Sequence, residues 1–394
     1  LDLVSISDEH LEYIRSSLAR SHGLAPRQIL VNCSHSHSGP VTGISDFDLS
    51  FSGLCPYRGD PDYLDSMKKR VLKAITAALD SMAPAEAFWG LGETHIGISR
   101  RSPDTSIYKG PASGDFGIFS NYPNPGMEID HACPVLLVKN AKGAPLALLF
   151  GAPCHPTTMS FDNYLVSAEY PGEARRALEK DLGGAPAMFV QGIGGDVKPR
   201  QVALETKFRS GSFDDVAAVG RELASDVTRI MGTGLEPLTI LPRSSIARVP
   251  VPLASGWDEA AYRRLADGHE PEHRKYWARW WLGKIAKGEK LPTTVDITLA
   301  LMEIAPGLRL AGVSGELLTG MGLKIKRRFR SGTTLPLGYT NGVVAYVPDS
   351  DVLDEGGYEA IESIFFDEVM AAPWRRDIDD TVLGVFDGLE KELA

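Results

Sequence analysis

No stretch of 18 or more apolar residues occurs anywhere in this chain, so a membrane-spanning helix is not expected. A cationic excess is missing too. Lys and Arg number 41 against 51 Asp and Glu, a formal net charge of −10. A general nucleic-acid binder normally carries the opposite balance. Cysteine is scarce, and Cys33, Cys55, Cys133 and Cys154 show no paired spacing. They read as small buried residues rather than a disulfide framework, and they leave the redox compartment open. Internal repeats, low-complexity tracts and a recognisable signal peptide are absent. The opening Leu1 to Asp8 reads as the end of a strand followed by a helix N-cap, so the sequence is expected to begin inside its domain, with a leader lost upstream.

What is present is a large apolar complement, 43% of 394 residues. Strands and helices alternate throughout, which places the chain in the α/β class with some antiparallel pairs. Ser7-Asp8 starts a helix ending near His22-Gly23, and Asp60-Pro61 starts another with Leu64, Met67, Val71, Ile75 and Leu79 at helical spacing. Further helices are expected over 213–232, 317–330, 359–371 and 376–393, and one opens at Tyr170-Pro171-Gly172-Glu173. Strands are expected at 87–90, 94–98, 135–138 and 145–152, and over most of 237–252 and 294–313. The aperiodic stretches 41–59 and 103–128 read as long loops at the rim of a pocket. Segment 257–288 is polar and helical. Its Tyr276, Trp277, Trp280 and Trp281 stand among Arg274, Lys275, Arg279, Lys284 and Lys287. Such a basic aromatic helix (274–287) suits either a packed lid or subunit contact, or a peripheral membrane interface.

The chemistry gathers at the ends of apolar runs. Gln28-Ile29-Leu30-Val31-Asn32 reads as a buried strand that delivers His35 and His37, two residues apart and so on one side of an extended segment. Strand 145–152 delivers His155. Strand 186–191 runs into Gly194-Gly195-Asp196-Val197-Lys198-Pro199-Arg200, and strand 308–314 delivers Glu316. Open α/β sheets place ligands at the C-terminal ends of their strands, and imidazole is the commonest transition-metal ligand. Each group alone has a structural reading. The histidines can be solvated or backbone-bonded, Glu316 can stabilise a helix N-terminus, and Arg101 can be a surface cation. His95 and His131 read as structural. Four strand ends delivering ionisable groups together point to one site, and one domain over residues 1–394 is expected to close around it.

In order along the chain, His35-Ser36-His37-Ser38-Gly39-Pro40, Arg101-Ser102-Pro103, Cys154-His155-Pro156-Thr157-Thr158-Met159, Gly195-Asp196-Val197 with Pro199, Gly315-Glu316 and Tyr339 with Tyr346 resemble the motifs of the neutral ceramidases. The resemblance runs from about Leu1 to about Tyr358. It implies an α/β catalytic domain with a mixed central β-sheet flanked by helices, and a zinc-dependent amidase acting through metal-bound hydroxide. It places one zinc per chain on His35, His155, Glu316 and Tyr346, with Tyr339 the local competitor for the last position. It puts His37 and Arg101 on the substrate's polar atoms, and Asp196, Arg200 and Tyr339 at the substrate. It points to a secreted or periplasmic location. The family's C-terminal β-sandwich domain is not expected, because only 48 residues follow Tyr346 and they look helical.

One position departs from the pattern. Lys198 stands where the family carries a serine, and Arg200 where an asparagine is usual. An ammonium cannot replace a seryl hydroxyl, but it can bind an oxyanion or a substrate carboxylate. The expected substrate is therefore a small-molecule amide other than ceramide, with an anionic group. The plainer alternative pairs Lys198 with Asp196 or Glu169. Two rival readings of the whole chain are a barrel-type metal amidohydrolase, which also begins with His-x-His after a strand, and a non-catalytic binding protein that kept the pocket and lost the reaction.

Overall fold

The computed structural model describes residues 1–43, 47, 59–102 and 122–393. Most of the loops expected at 41–59 and 103–128, with Cys55, lie outside the described residues. The helices begin where side chains cap them. Ser7 accepts from the His10 amide to open α1 (Asp8–His22), which stops at Gly23 in the left-handed region. Asp60 accepts from the Tyr63 amide, 2.8 Å, to open α2 (Pro61–Asp80). The expected strand at 28–32 is not formed. Ile29 and Val31 are buried and Leu30 is half-buried, but among the described residues its only strand pairing is a bridge from Asn32 to Thr340.

The strands expected between 85 and 191 are β1 (Ala85–Glu93), β2 (Gly97–Ser99), β3 (Ala132–Asn140), β4 (Pro145–Ala152) and β5 (Ala187–Gln191), with α3 (Glu169–Asp181) between the last two. A short β6 (Val197–Pro199) pairs antiparallel with β2, placing Ile98 opposite Lys198. Helix α4 (Phe213–Gly232) carries a Ser212/Asp215 capping box, and β7 (Glu236–Leu238) follows. The second half runs β8 (Arg243–Pro252), α5 (Glu259–Asp267), α6 (Glu272–Ala286), β9 (Thr294–Ala305), β10 (Leu308–Val313), β11 (Glu316–Leu317), α7 (Thr319–Arg328), β12 (Thr333–Leu337), β13 (Tyr346–Val347), α8 (Ser350–Glu355) and α9 (Ile378–Leu393). Segment 359–371, expected as a helix, forms only a 3₁₀ turn at Glu362–Phe366.

Mixed sheets flanked by helices are present as expected, and the strands divide between two main sheets. One has the order β5-β4-β3-β1-β7 and the other β12-β10-β9-β8. The two meet face to face through Trp89, Leu149, Val190, Met302, Ile304, Leu310, Leu335 and Leu337. Helices α3 and α4 cover the outer face of the first, burying Tyr170, Leu178, Leu223 and Val227. Helices α6, α7 and α9 join a larger core on the outer face of the second. Two open sheets exclude the barrel fold that the rival amidohydrolase reading requires.

The aromatic segment behaves as core. Trp277 and Trp281 are buried and pack with Tyr262 and Phe365, while Tyr276 and Trp280 lie against the same cluster. The aromatic stripe on 274–287 is thus turned inward, the packed alternative rather than the membrane-interface one, because its aromatic side chains find an apolar sheet to cover. Among the described residues no helix is long and apolar enough to cross a membrane. Cys33, Cys133 and Cys154 are unpaired and buried, and burial pushes the Cys33 thiol up to about 11.

Candidate metal centre

The parallel pairs of the two main sheets, β4 with β5 and β10 with β12, end at the same edge of the sandwich, where Asn32 reaches both Gln191 and Gly338. Asn32 ties those ends together. Its side-chain oxygen accepts from the Gln191 amide, 2.8 Å, and its Nδ2 donates to the carbonyls of Gln191 and Gly338 and to the Thr340 hydroxyl. Directly beyond this knot come His35, His155, Glu316 and Tyr339.

Two imidazoles are oriented from behind. His35 donates from Nδ1 to the Val4 carbonyl, 2.7 Å, and His155 from Nδ1 to the Gly194 carbonyl, 3.1 Å. Each bond fixes the tautomer that leaves Nε2 as a lone-pair donor facing the centre, the usual preparation of a metal-ligating histidine. The His35 Nε2 is buried and has no hydrogen-bond partner. Glu316 Oε2 lies 3.4 Å from it and 3.9 Å from the Nε2 of His155. His37 differs. It is exposed, its Nε2 is 3.0 Å from that of His155, and no backbone group anchors its other nitrogen among the described residues. One ring nitrogen from each of His35, His37 and His155 lies within 4.8 Å of the others, a cluster able to hold a metal ion.

Charge follows burial here. Burial, then the neighbouring rings of His35 and His37, hold His155 well below the usual imidazole range, in the neutral form that binds metal. Burial alone would raise the Glu316 carboxyl, but His35, Arg100 and His37 bring it below its usual value instead. Backbone strain gathers at the same place. The non-glycine residues in the left-handed region are His35 (φ 65°), Glu169 (φ 54°), Tyr339 (φ 54°) and Asn341 (φ 60°) among those described. Each costs about 1–3 kcal/mol, which the surrounding structure must offset. Two of the four carry site rings, and Asn341 braces Val31 through its amide and its side chain. Gly195 is required for close approach, since a Cβ there would meet the Glu316 and Leu317 carbonyls at 2.9 Å.

The remaining expected site residues are placed as follows. Tyr339 stacks on His35, ring centroids 4.2 Å apart, with its hydroxyl 3.4 Å from both Glu316 Oε2 and His155 Nδ1. Tyr346 is the register partner of Glu316 across β11 and β13, and its hydroxyl accepts from Arg100, 2.9 Å. Lys198 lies on β6 directly after Val197, whose carbonyl accepts from the amide of His155, 3.0 Å. Three others are elsewhere. Arg101 does not face the centre. It is buried against Glu359 at 2.7 Å and Glu355 at 2.9 Å, because successive residues past a strand end point in opposite directions and Arg100 takes the inward side. Asp196 is a helix cap, accepting from the amide and hydroxyl of Thr319 at the start of α7, where Leu318 offers no capping group. Arg200 points to the surface and pairs with Glu222. Arg100, Glu359 and Asn32 were not among the expected site residues.

No protein-family model matches the chain. Neutral ceramidase B of Dictyostelium discoideum is 27% identical over 180 residues, which is 43% of this chain and 23% of that protein. The neutral ceramidase of Pseudomonas aeruginosa is 25% identical over 54% of this chain and 30% of its own length. That of Mycobacterium tuberculosis is 23% identical over 85% of this chain and 60% of its own. The match therefore spans at most 60% of any of these three curated relatives. Among solved structures, a ceramidase complexed with C2 superposes on the whole chain and 67% of its own, with TM-score 0.71 and 17% identity. The neutral ceramidase of Pseudomonas aeruginosa gives TM-score 0.69 and 18% identity over 98% of this chain and 64% of that one. The chain is neutral-ceramidase-like. The motifs that carry the resemblance fall, in the structure, on the edge of the sandwich where the histidines meet.

Proposed function

We propose that this chain is a zinc-dependent hydrolase of a C–N amide bond, with a substrate other than ceramide. The observation that carries the reading is the pair of buried histidines, each anchored through Nδ1 to a backbone carbonyl and turning Nε2 toward the Glu316 carboxylate. An N,N,O donor set of this kind suits zinc, and the partnerless buried Nε2 of His35 is what such an ion would satisfy. His35, His155 and Glu316 would hold it, with Tyr346 as fourth ligand beside Glu316 and Arg100 supporting its oxygen. When bound, zinc supplies a Lewis acid that brings the ionisation of water into the neutral range, about pH 7.

The chain's own groups divide the rest. His37, at the mouth and without a backbone anchor, polarises the scissile carbonyl or passes a proton to the leaving amine. Tyr339 orients Glu316 and His155 through its hydroxyl. Arg100 joins Tyr346 to Glu359 and keeps the phenol oxygen turned inward.

Elemental analysis and turnover on a panel of acyl amides test the assignment together. Wild type should carry about one zinc per chain, and His155→Ala should lose it with its activity. His37→Ala should keep the metal and lose turnover, roughly 100-fold or more for an acid–base group. Full zinc retention in His155→Ala would overturn the ligand set. Stoichiometric zinc with no amide cleaved would instead leave the binding-protein reading standing.

A further inference from the structure

The geometry points to Lys198 as the anchor of an anion subsite, making the substrate an acyl amide with a carboxylate beside the scissile bond, of the N-acyl amino acid class. This rests on the metal centre being the substrate site. The argument begins with what Lys198 lacks. It makes no ion pair among the described residues, and the two candidate carboxylates, Asp196 close in sequence and Glu169 whose charge it feels, are hydrogen-bonded elsewhere. Asp196 accepts from the amide and hydroxyl of Thr319. Glu169 is buried and accepts from the amides of Met159, 2.8 Å, and Tyr170, 3.2 Å.

What Lys198 does have is a ring and a like charge. Its Nζ stands 5.0 Å from the centroid of Phe208, a contact worth far less than an ion pair. Burial, then the charge of Arg100, brings its pKa down to about 8, which still leaves an ammonium at neutral pH. The other cations around the loop are compensated. Arg100 and Arg101 share Glu359, Arg101 also has Glu355, and Arg200 has Glu222. Lys198 is thus a half-buried positive charge with no ion pair among the described residues, one residue past the Val197 carbonyl that accepts from the His155 amide, and a desolvated ammonium in that position calls for an anionic partner. An N-acyl amino acid supplies one a single carbon away from the amide nitrogen that is cleaved.

The test uses the zinc-loaded protein and ketone isosteres of N-hexanoylglycine and N-hexanoylglycinamide, with the amide NH replaced by methylene, so that binding is read without turnover. Calorimetry on wild type should show the acid bound roughly tenfold or more tighter than the neutral amide, as loss of a hydrogen bond to a charged group implies. In Lys198→Met that preference should vanish while affinity for the neutral isostere holds. Lys198→Arg should keep part of it. Equal affinities in wild type, or a preference intact in Lys198→Met, overturn the subsite. Cleavage of the neutral amide as readily as the acid overturns it too, and leaves the amidase standing. Preferential binding of the acid by a protein that cleaves no amide upholds the subsite and removes the amidase.

Discussion

Two positive regions face each other across one short antiparallel pair, and the fold handles them in opposite ways. At the end of β2, Arg100 and Arg101 are buried and share both oxygens of Glu359, with Glu355 and the Gly356 carbonyl completing Arg101. Across the pair, at the centre of β6, Lys198 has an aromatic face and, among the described residues, no carboxylate paired with it. The arginines are the better compensated although they are the more deeply buried, which is the arrangement that makes a buried cation tolerable. Compensation on one side offsets two charges at the pocket, although that of Arg100 still reaches Glu316, His155 and Lys198. Its lack on the other leaves one charge directed there. The difference separates a structural cluster that shapes the site from a group available to a ligand.

Removing the compensation should have the largest effect. Glu359→Gln leaves two buried guanidinium groups with Glu355 as the carboxylate still in direct contact among the described residues, and breaking a buried pair in this way costs about 3–5 kcal/mol. Urea denaturation at pH 7 should show that loss, and zinc binding should weaken with it as Tyr346 loses the Arg100 that Glu359 holds. A loss under about 1 kcal/mol, the range of exposed ion pairs, would mean that the two regions are not different in kind.

The second effect runs through pH. The Lys198 ammonium is disfavoured in the folded protein, by burial first and by Arg100 next, with His37, Cys154 and Glu169 the other titratable groups it feels. Its pKa is about 8 folded against 10.5 for the unperturbed group. Below pH 8 both states bind the proton and the full penalty applies. Between 8 and 10.5 the unfolded state binds more protons, so stability rises with pH. Lys198→Met should therefore be more stable than wild type at pH 7, by about 1–3 kcal/mol. That advantage should shrink as pH approaches 10.5. A difference between the two proteins that does not change with pH would show that Lys198 is better paired than its surroundings indicate.

How far the sequence shows this contrast depends on the range of the interactions involved. The strand ends carrying His155 and Glu316 are legible because an apolar run followed by a polar break marks both the strand and the group it delivers, and His35 follows an apolar run in the same way. Most elements follow from caps and periodicity in the same way. The division into two sheets does not, since a buried strand looks alike in either, and 28–32 is apolar without being a strand. Arg100 and Arg101 are identical neighbours, and what separates them lies far along the chain, Tyr346 for Arg100 at 246 residues and Glu355 for Arg101 at 254. Asn32 knots the strand ends through partners 159 to 308 residues distant. Asp196 has a catalytic look in sequence but is drawn off by the uncapped start of α7. Lys198 was legible as a departure from a motif. That Asp196 and Glu169 both decline to pair with it required the structure.

The smallest effect is expected at Arg200, and it decides whether the contrast is local. The sequence places Arg200 two residues from Lys198, where it would strengthen the same field. In the structure it points to the surface, with its Nη2 2.8 Å from Glu222 and side chains 57% and 40% exposed. An exposed pair of this kind contributes about 0–1 kcal/mol, and solvent screens it within a Debye length of about 8–10 Å. Arg200→Ala should therefore leave the denaturation midpoint nearly unchanged and the acid-over-amide preference intact, while Lys198→Met erases that preference. Should Arg200→Ala reduce it as strongly as Lys198→Met, the positive potential would belong to the whole Gly194–Arg200 loop, and exposed and enclosed charge on that loop would have to be treated as one source.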